Sequence, residues 1–232
     1  MTVLKAKVGK DWLPIGQRAW PGPQGPQGAT GPPSPSGYPL IPLSPFSVAG
    51  WTWTNQGNAS IYEKNNSVFV TTPSAAGANF RLLTKPLTGG AITTYILGYI
   101  GCPWWWTDYM SGGLAVLESG STKAVTYGLR TQAVSNTSGT TAFYRGHRLT
   151  NPTTISVTWG DSPLIASAPP LMFAKVVFTP TTFQFSRSCD GIGWDDLPVE
   201  TIGTFLTPDR IGVYIQSVSA TARIGFPHWV EA

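Results

Sequence analysis

Hydrophobic and polar residues alternate with a period of two along short stretches of this chain, and turn-forming residues separate those stretches. Ile211, Val213 and Ile215 point one way while Gly212, Tyr214 and Gln216 point the other. After Ser217-Val218-Ser219 the alternation resumes at Ala220, Ala222, Ile224 and Phe226. Period two is the mark of a strand with one covered face. This stretch therefore predicts a hairpin, with the chain ending in Pro227-His228-Trp229. Phe183 and Phe185 alternate in the same way with Gln184 and Ser186, ahead of a turn at Asp190-Gly191. Further strand-like runs lie at Ser67–Thr72, Asn79–Thr84, Ile92–Ile100, Leu114–Glu118, Ala124–Thr131, Thr140–Tyr144, Thr153–Trp159 and Met172–Thr179. Clusters such as Thr88-Gly89-Gly90 and Asn136-Thr137-Ser138-Gly139 separate them, and no stretch holds a helical period. Residues 38–232 are thus expected to form an all-β sandwich head.

A different period governs the region before the head. Gly22, Gly25, Gly28 and Gly31 fall at every third position, and Gly22 to Pro33 reads G-P-Q-G-P-Q-G-A-T-G-P-P. Only glycine fits at the shared axis of three polyproline-like strands, so this spacing predicts a collagen-like triple-helical stem within residues 21–37. Twelve residues at about 3.1 Å each give a rod of only about 37 Å. Ser34 stands where a fifth glycine would fall, so neighbouring parts must hold the three chains together. The predicted assembly is a homotrimer. Upstream, Val3–Val8 and Trp12–Ile15 read as two short strands around Gly9-Lys10-Asp11, a hairpin too small to be stable alone. Tyr38–Pro45, with three prolines, is expected to run extended along a surface.

Composition sharpens this picture. Only 11% of the 232 residues are charged, and the formal net charge is +4. Lys5, Lys7, Lys10 and Arg18 place much of that excess before the stem, which leaves a nearly neutral head with no footprint for nucleic acid. No apolar run approaches a membrane span. The first residues lack a signal-peptide core, so the chain is expected to fold in cytosol, with Cys102 and Cys189 as buried free thiols.

The opening K-V-G-x-x-W-x-P-I-G, matched by Lys7, Val8, Gly9, Trp12, Pro14, Ile15 and Gly16 and followed directly by glycine triplets, resembles the start of tailed-bacteriophage tail-fibre and receptor-binding proteins. That resemblance implies a virion protein assembled in the bacterial cytoplasm, with residues 1–20 attached to a phage tail or baseplate protein. The stem would space a head that recognises host-surface polysaccharide. From Thr182 to Trp229, the Ser-x-Asp-Gly-x-x-Trp turn at Ser188–Trp194 and the glycine-rich strand pair after it resemble concanavalin A-like lectin/glucanase and laminin-G-like jelly rolls.

Candidate chemistry is sparse. A glycosidase needs two carboxylates at a fixed separation, but Glu63, Glu118, Glu200 and Glu231 are isolated in sequence. The chain is therefore expected not to be an enzyme and to carry no catalytic residues or cofactor. His147 and His228 lie in different segments, and no metal site is expected. Asp190, Asp195 and Asp196 suit either turn capping or a lectin-type calcium ion. The exceptional stretch is C-P-W-W-W-T-D-Y-M-S-G-G from Cys102 to Gly113. Successive extended side chains point to opposite sides, so Trp104, Trp105 and Trp106 cannot all enter one core. With Asp108 and Tyr109 they suit a carbohydrate-binding loop, or alternatively a plug at a subunit interface. Trp51 and Trp53 share a strand face and are expected in the core or an interface.

Overall fold

The computed structural model describes residues 5–8, 11–14, 44–73, 79–101, 110–133, 140–159, 171–218 and 221–232. It divides into two units, Met1–Leu40 and Ile41–Ala232. In the first, β1 (Lys5–Val8) and β2 (Asp11–Pro14) form the expected antiparallel hairpin, with Val8 opposite Asp11. The stem glycines Gly22, Gly25, Gly28 and Gly31 lie outside the described residues.

The second unit is an all-β sandwich of two antiparallel sheets, as the alternation predicts. One sheet has seven strands: β3 (Thr52–Thr54), β6 (Arg81–Pro86), β8 (Met110–Leu117), β9 (Ala124–Ala133), β10 (Thr140–Asn151), β11 (Thr154–Trp159) and β16 (Arg210–Ser217). Their order is β11-β10-β9-β8-β16-β6-β3. The eight-stranded sheet holds β4 (Ser60–Lys64), β5 (Ser67–Thr72), β7 (Thr93–Gly101), β12 (Met172–Phe178), β13 (Thr182–Ser188), β14 (Asp195–Asp196), β15 (Glu200–Thr201) and β17 (Ala222–Glu231). Along it the order is β14-β13-β12-β7-β17-β5-β4, with β15 also on β13. Between the sheets, Val68, Tyr95, Leu97, Leu114, Tyr127, Val176, Phe185, Val213 and Phe226 are fully or nearly fully buried in one core. Trp51 and Trp53 pack against it, as expected.

The predicted hairpin of residues 210–226 does not form. β16 pairs with β6 and β8 in one sheet, while β17 pairs with β5 and β7 in the other. Alternation reports that a face is covered and leaves open which neighbour covers it. Both strands turn their apolar residues into the same core from opposite sides. The opposite face of β16 is covered as well. Tyr214 joins Phe80, Leu82, Ala115, Leu117, Ala124 and Leu149 in a second cluster on the far side of the seven-stranded sheet. Nor does β17 stop at Phe226. Pro227 supplies no N–H to a ladder, and the pairing with β7 shifts register between Gly225 and His228 before running on to Glu231.

The first described residues of the head are tied to β17. Ser44 N–H donates to His228 Nδ1 at 2.8 Å, and Trp229 N–H donates to the Ser44 carbonyl at 3.2 Å. Phe46 stacks on Trp229 with centroids 5.6 Å apart. Burial holds the His228 imidazole below its ordinary value of 6.5, in keeping with a ring that accepts rather than donates at Nδ1. The unfolded chain binds a proton on this ring before the folded head does. Stability from His228 is therefore complete above pH 6.5 and is lost as pH falls below it toward the depressed folded value. Denaturant titrations between pH 7.5 and pH 5 should show stability falling, and His228→Gln should flatten that slope; equal slopes in both proteins would contradict this role.

Candidate functional site

Trp104, Trp105, Trp106, Asp108 and Tyr109 lie between the end of β7 and the start of β8, outside the described residues. What the structure does place is a polar-aromatic edge of the sandwich that the sequence reading missed. Tyr127 on β9, Tyr144 on β10 and Trp159 on β11 sit on neighbouring strands. Gly146 is paired with both Tyr127 and Trp159. A Cβ on Gly146 would fall 2.5 Å from Trp159 Cε2, so only glycine lets the indole lie across the strand. Trp159 thereby reaches Tyr127, with rings 5.7 Å apart and 14° from parallel, and Tyr144 stacks on Tyr127 at 5.7 Å and 10°.

The facing sheet completes the edge. Phe185 packs 5.7 Å from Tyr127 and 6.1 Å from Trp159. The Arg187 guanidinium lies 5.4 Å from the Tyr144 ring centre, and its Nε donates to Asp195 at 3.2 Å. Farther along, Arg148 Nη2 donates to both oxygens of Glu200 at 2.8 and 2.6 Å, joining the two sheets. Burial is the main force pushing the Tyr127 hydroxyl up, with the nearby Arg187 pulling the other way. Burial likewise raises Tyr99, helped by the neighbouring Tyr144 and Tyr127. These hydroxyls remain protonated across physiological pH and can act as hydrogen-bond donors. In the sequence the signal was faint: an aromatic residue two positions before Gly146 (Tyr144) and another at a strand end (Trp159).

Of the two roles weighed for the aspartates, turn capping is the one the geometry supports at Asp190, whereas Asp195 and Asp196 form β14 and pair with β13. Asp190 accepts from the Ile192 and Gly193 N–H groups at 2.8 and 2.9 Å, which holds its carboxyl below the usual range together with a bond from Ser188. Asp196 accepts from Ser186 Oγ at 2.6 Å. Among the described residues no group of three or more His, Cys, Asp and Glu side chains comes together to hold a metal ion. Cys189 is a free thiol but is exposed, contrary to expectation, because it occupies the turn that Asp190 caps. Glu118, isolated in sequence, has its carboxyl held below the usual range, chiefly by hydrogen bonds from the Ser121 hydroxyl and the Thr207 N–H. The Thr207 N–H and Ser121 hydroxyl bind Glu118, and the Ser119 N–H and hydroxyl bind Asp209.

No protein-family model matches the chain, and no curated protein matches its sequence. Solved structures do match its fold. A functionally unknown protein from Saccharomyces cerevisiae superposes with a TM-score of 0.59 at 14% identity, covering 81% of this chain and 98% of that one. A xylan β-1,4-xylosidase from Bacillus halodurans gives 0.56 at 10% identity, over 81% of this chain and 37% of that one. The GH43 protein BlXynB from Bacillus licheniformis gives 0.53 at 10% identity, with the same coverages of 81% and 37%. The chain thus spans little more than a third of each of these two proteins. The expectation that the chain is not an enzyme does not stand, since glycoside hydrolases are among the proteins with this fold. A shared β-sandwich does not separate a binding module from part of a hydrolase.

Proposed function

We propose that this chain is a trimeric bacteriophage tail-fibre or receptor-binding protein whose β-sandwich head recognises host-surface glycan. The observation that carries the reading is the unbroken glycine register from Gly22 to Gly31, placed between a basic hairpin and a β-sandwich. Residues 1–20 would attach to the phage tail or baseplate, and residues 21–37 would form the stem. Three linked heads would turn weak sugar contacts into avidity. One fold neighbour is a xylan β-1,4-xylosidase, and a polysaccharide is the ligand class proposed here. Labelled full-length protein should bind host cells and compete with phage adsorption, and Trp105→Ala should reduce both at least about tenfold, the scale of one lost aromatic anchor. Undiminished binding by the variant would return the tryptophans to a structural role.

A second reading is a fibre-borne glycan depolymerase, since glycoside hydrolases are among the solved structures that share this fold. Release of reducing ends from host polysaccharide by the purified full chain would establish it. A virion spacer without ligand would give neither binding nor release.

A further inference from the structure

A cavity of about 270 Å³ lies where the chain crosses from β6 in one sheet to β7 in the other, beside the end of β17. Thr88, Gly89 and Ile92 of the crossing, Thr93 of β7 and Glu231 of β17 line it. The first three are exposed, Ile92 by 68%, so the cavity is reached directly from solvent. A Cβ built on Gly89 would meet nothing within 4 Å. The cavity volume lies just below the roughly 300–1,000 Å³ of pockets for drug-sized ligands and suits a single sugar ring.

Its polar side chains are held in place by the protein itself. The Thr88 N–H donates to Tyr95 Oη at 3.0 Å, and the two hydroxyls are 2.8 Å apart. The Thr88 hydroxyl donates to Glu231 Oε2 at 3.4 Å, which leaves the Tyr95 proton for Thr88 Oγ1. The Thr93 hydroxyl donates to the Thr88 carbonyl at 3.5 Å. Glu231 Oε1 accepts from Lys85 Nζ and, at 2.7 Å, from Trp229 Nε1. The hydroxyl protons are thus committed within the protein. Glu231 Oε2 is not: among the described residues it receives only the long Thr88 bond and keeps lone pairs for further donors. The side chains of the cavity therefore present acceptors, and the ligand must bring the donors.

We propose that this cavity is a subsite for one ring of an uncharged sugar: Glu231 Oε2 accepts from ring hydroxyls, and Ile92 packs against the C–H face. A uronate would set a second carboxylate against Glu231, and like charges repel. A cationic amino sugar gains little, because Lys85 already balances the Glu231 charge. Thr88 and Glu231 need no further ordering on binding, which favours affinity in so small a site. The inference rests on the glycan-binding reading above and adds a contact to the one proposed at Trp105.

Saturation-transfer NMR titrations of the full chain test this, in the Trp105→Ala background so that the cavity is read alone. Xylotetraose, cellotetraose and mannotetraose serve as uncharged probes, and galacturonate and glucosamine tetramers as charged ones. At least one uncharged probe should bind at least about tenfold more tightly than either charged probe. Adding Gly89→Leu, which fills the cavity without meeting a neighbour, should abolish that binding with the far-UV spectrum unchanged. Adding Glu231→Gln should weaken it about tenfold, as loss of a hydrogen bond to a charged group does. Gly120→Leu, at an equally open glycine in the turn after β8, should leave it as it was. Uncharged binding that survives Gly89→Leu, a preference for either charged probe, or no uncharged binding at all overturns the proposal. Host-cell adsorption by the parent chain in those cases would leave the broader glycan reading standing, whereas its absence would remove both.

Discussion

Gly212→Ala is expected to cost the head at least about 3 kcal/mol, because the added methyl has nowhere to go. Gly212 sits in β16 between β6 and β8, opposite Thr84 and Ala115. A Cβ there would strike the Leu83 carbonyl oxygen and lie 2.7 Å from Thr84 Cα. Those are backbone atoms of a hydrogen-bonded neighbour, and no rotamer change relieves the clash. β6 would have to move away from β16, and that movement would open both buried clusters, since Leu83 faces one and Leu82 the other. Thermal unfolding of the full chain should register a fall of roughly 6–12 °C, or the variant should be insoluble. A melting temperature within about 2 °C of the parent would mean that the strands are farther apart than described.

The second large effect is expected at Trp229. Its ring stacks on Phe46, meets Trp51 edge-on at 4.9 Å and lies 5.8 Å from Tyr95, and its Nε1–H donates to Glu231 at 2.7 Å. Trp229→Ala should destabilise the head by about 3–5 kcal/mol, as large-to-small core substitutions do. It should also loosen residues 44–51 beyond the average, because Phe46 and Trp51 depend on that one ring. Hydrogen exchange would show this as lost protection at the Trp51 N–H, which donates to the Val48 carbonyl. A cost under about 1 kcal/mol would show that the cluster packs as well without the indole.

Much of the sandwich was legible because exposed loops bound short strands with a covered face. Ser67–Thr72 is a strand with the predicted limits, and its buried positions alternate as the sequence implies. β4 escaped notice because Ser60–Lys64 is an edge strand with mostly exposed residues and little apolar contrast. Its turn did leave a sign. Asn65 and Asn66 both take positive φ, 53° and 58°, the conformation of a tight two-residue hairpin that asparagine tolerates. β14 and β15 are two residues each, too short for any period to reveal. The partner of β17 was misjudged because alternation is local and sheet assignment is not.

The polar-aromatic edge was hidden for a related reason. Tyr127, Tyr144 and Trp159 come from separate strands, and Arg187 comes from the other sheet. Their meeting depends on register and on the missing side chain of Gly146. By contrast, the glycine triplets and the three adjacent tryptophans are local features, visible without any fold. They supply the proposed assembly and the proposed contact at Trp105.

Trimerisation is the claim on which the functional account depends most, and light scattering on the purified full chain measures it most directly. The account predicts a mass of three chains, reduced when Gly25 and Gly28 are both replaced by alanine, because side chains cannot enter the axis of a triple helix. A single-chain mass for the parent protein, unchanged in that variant, would contradict it.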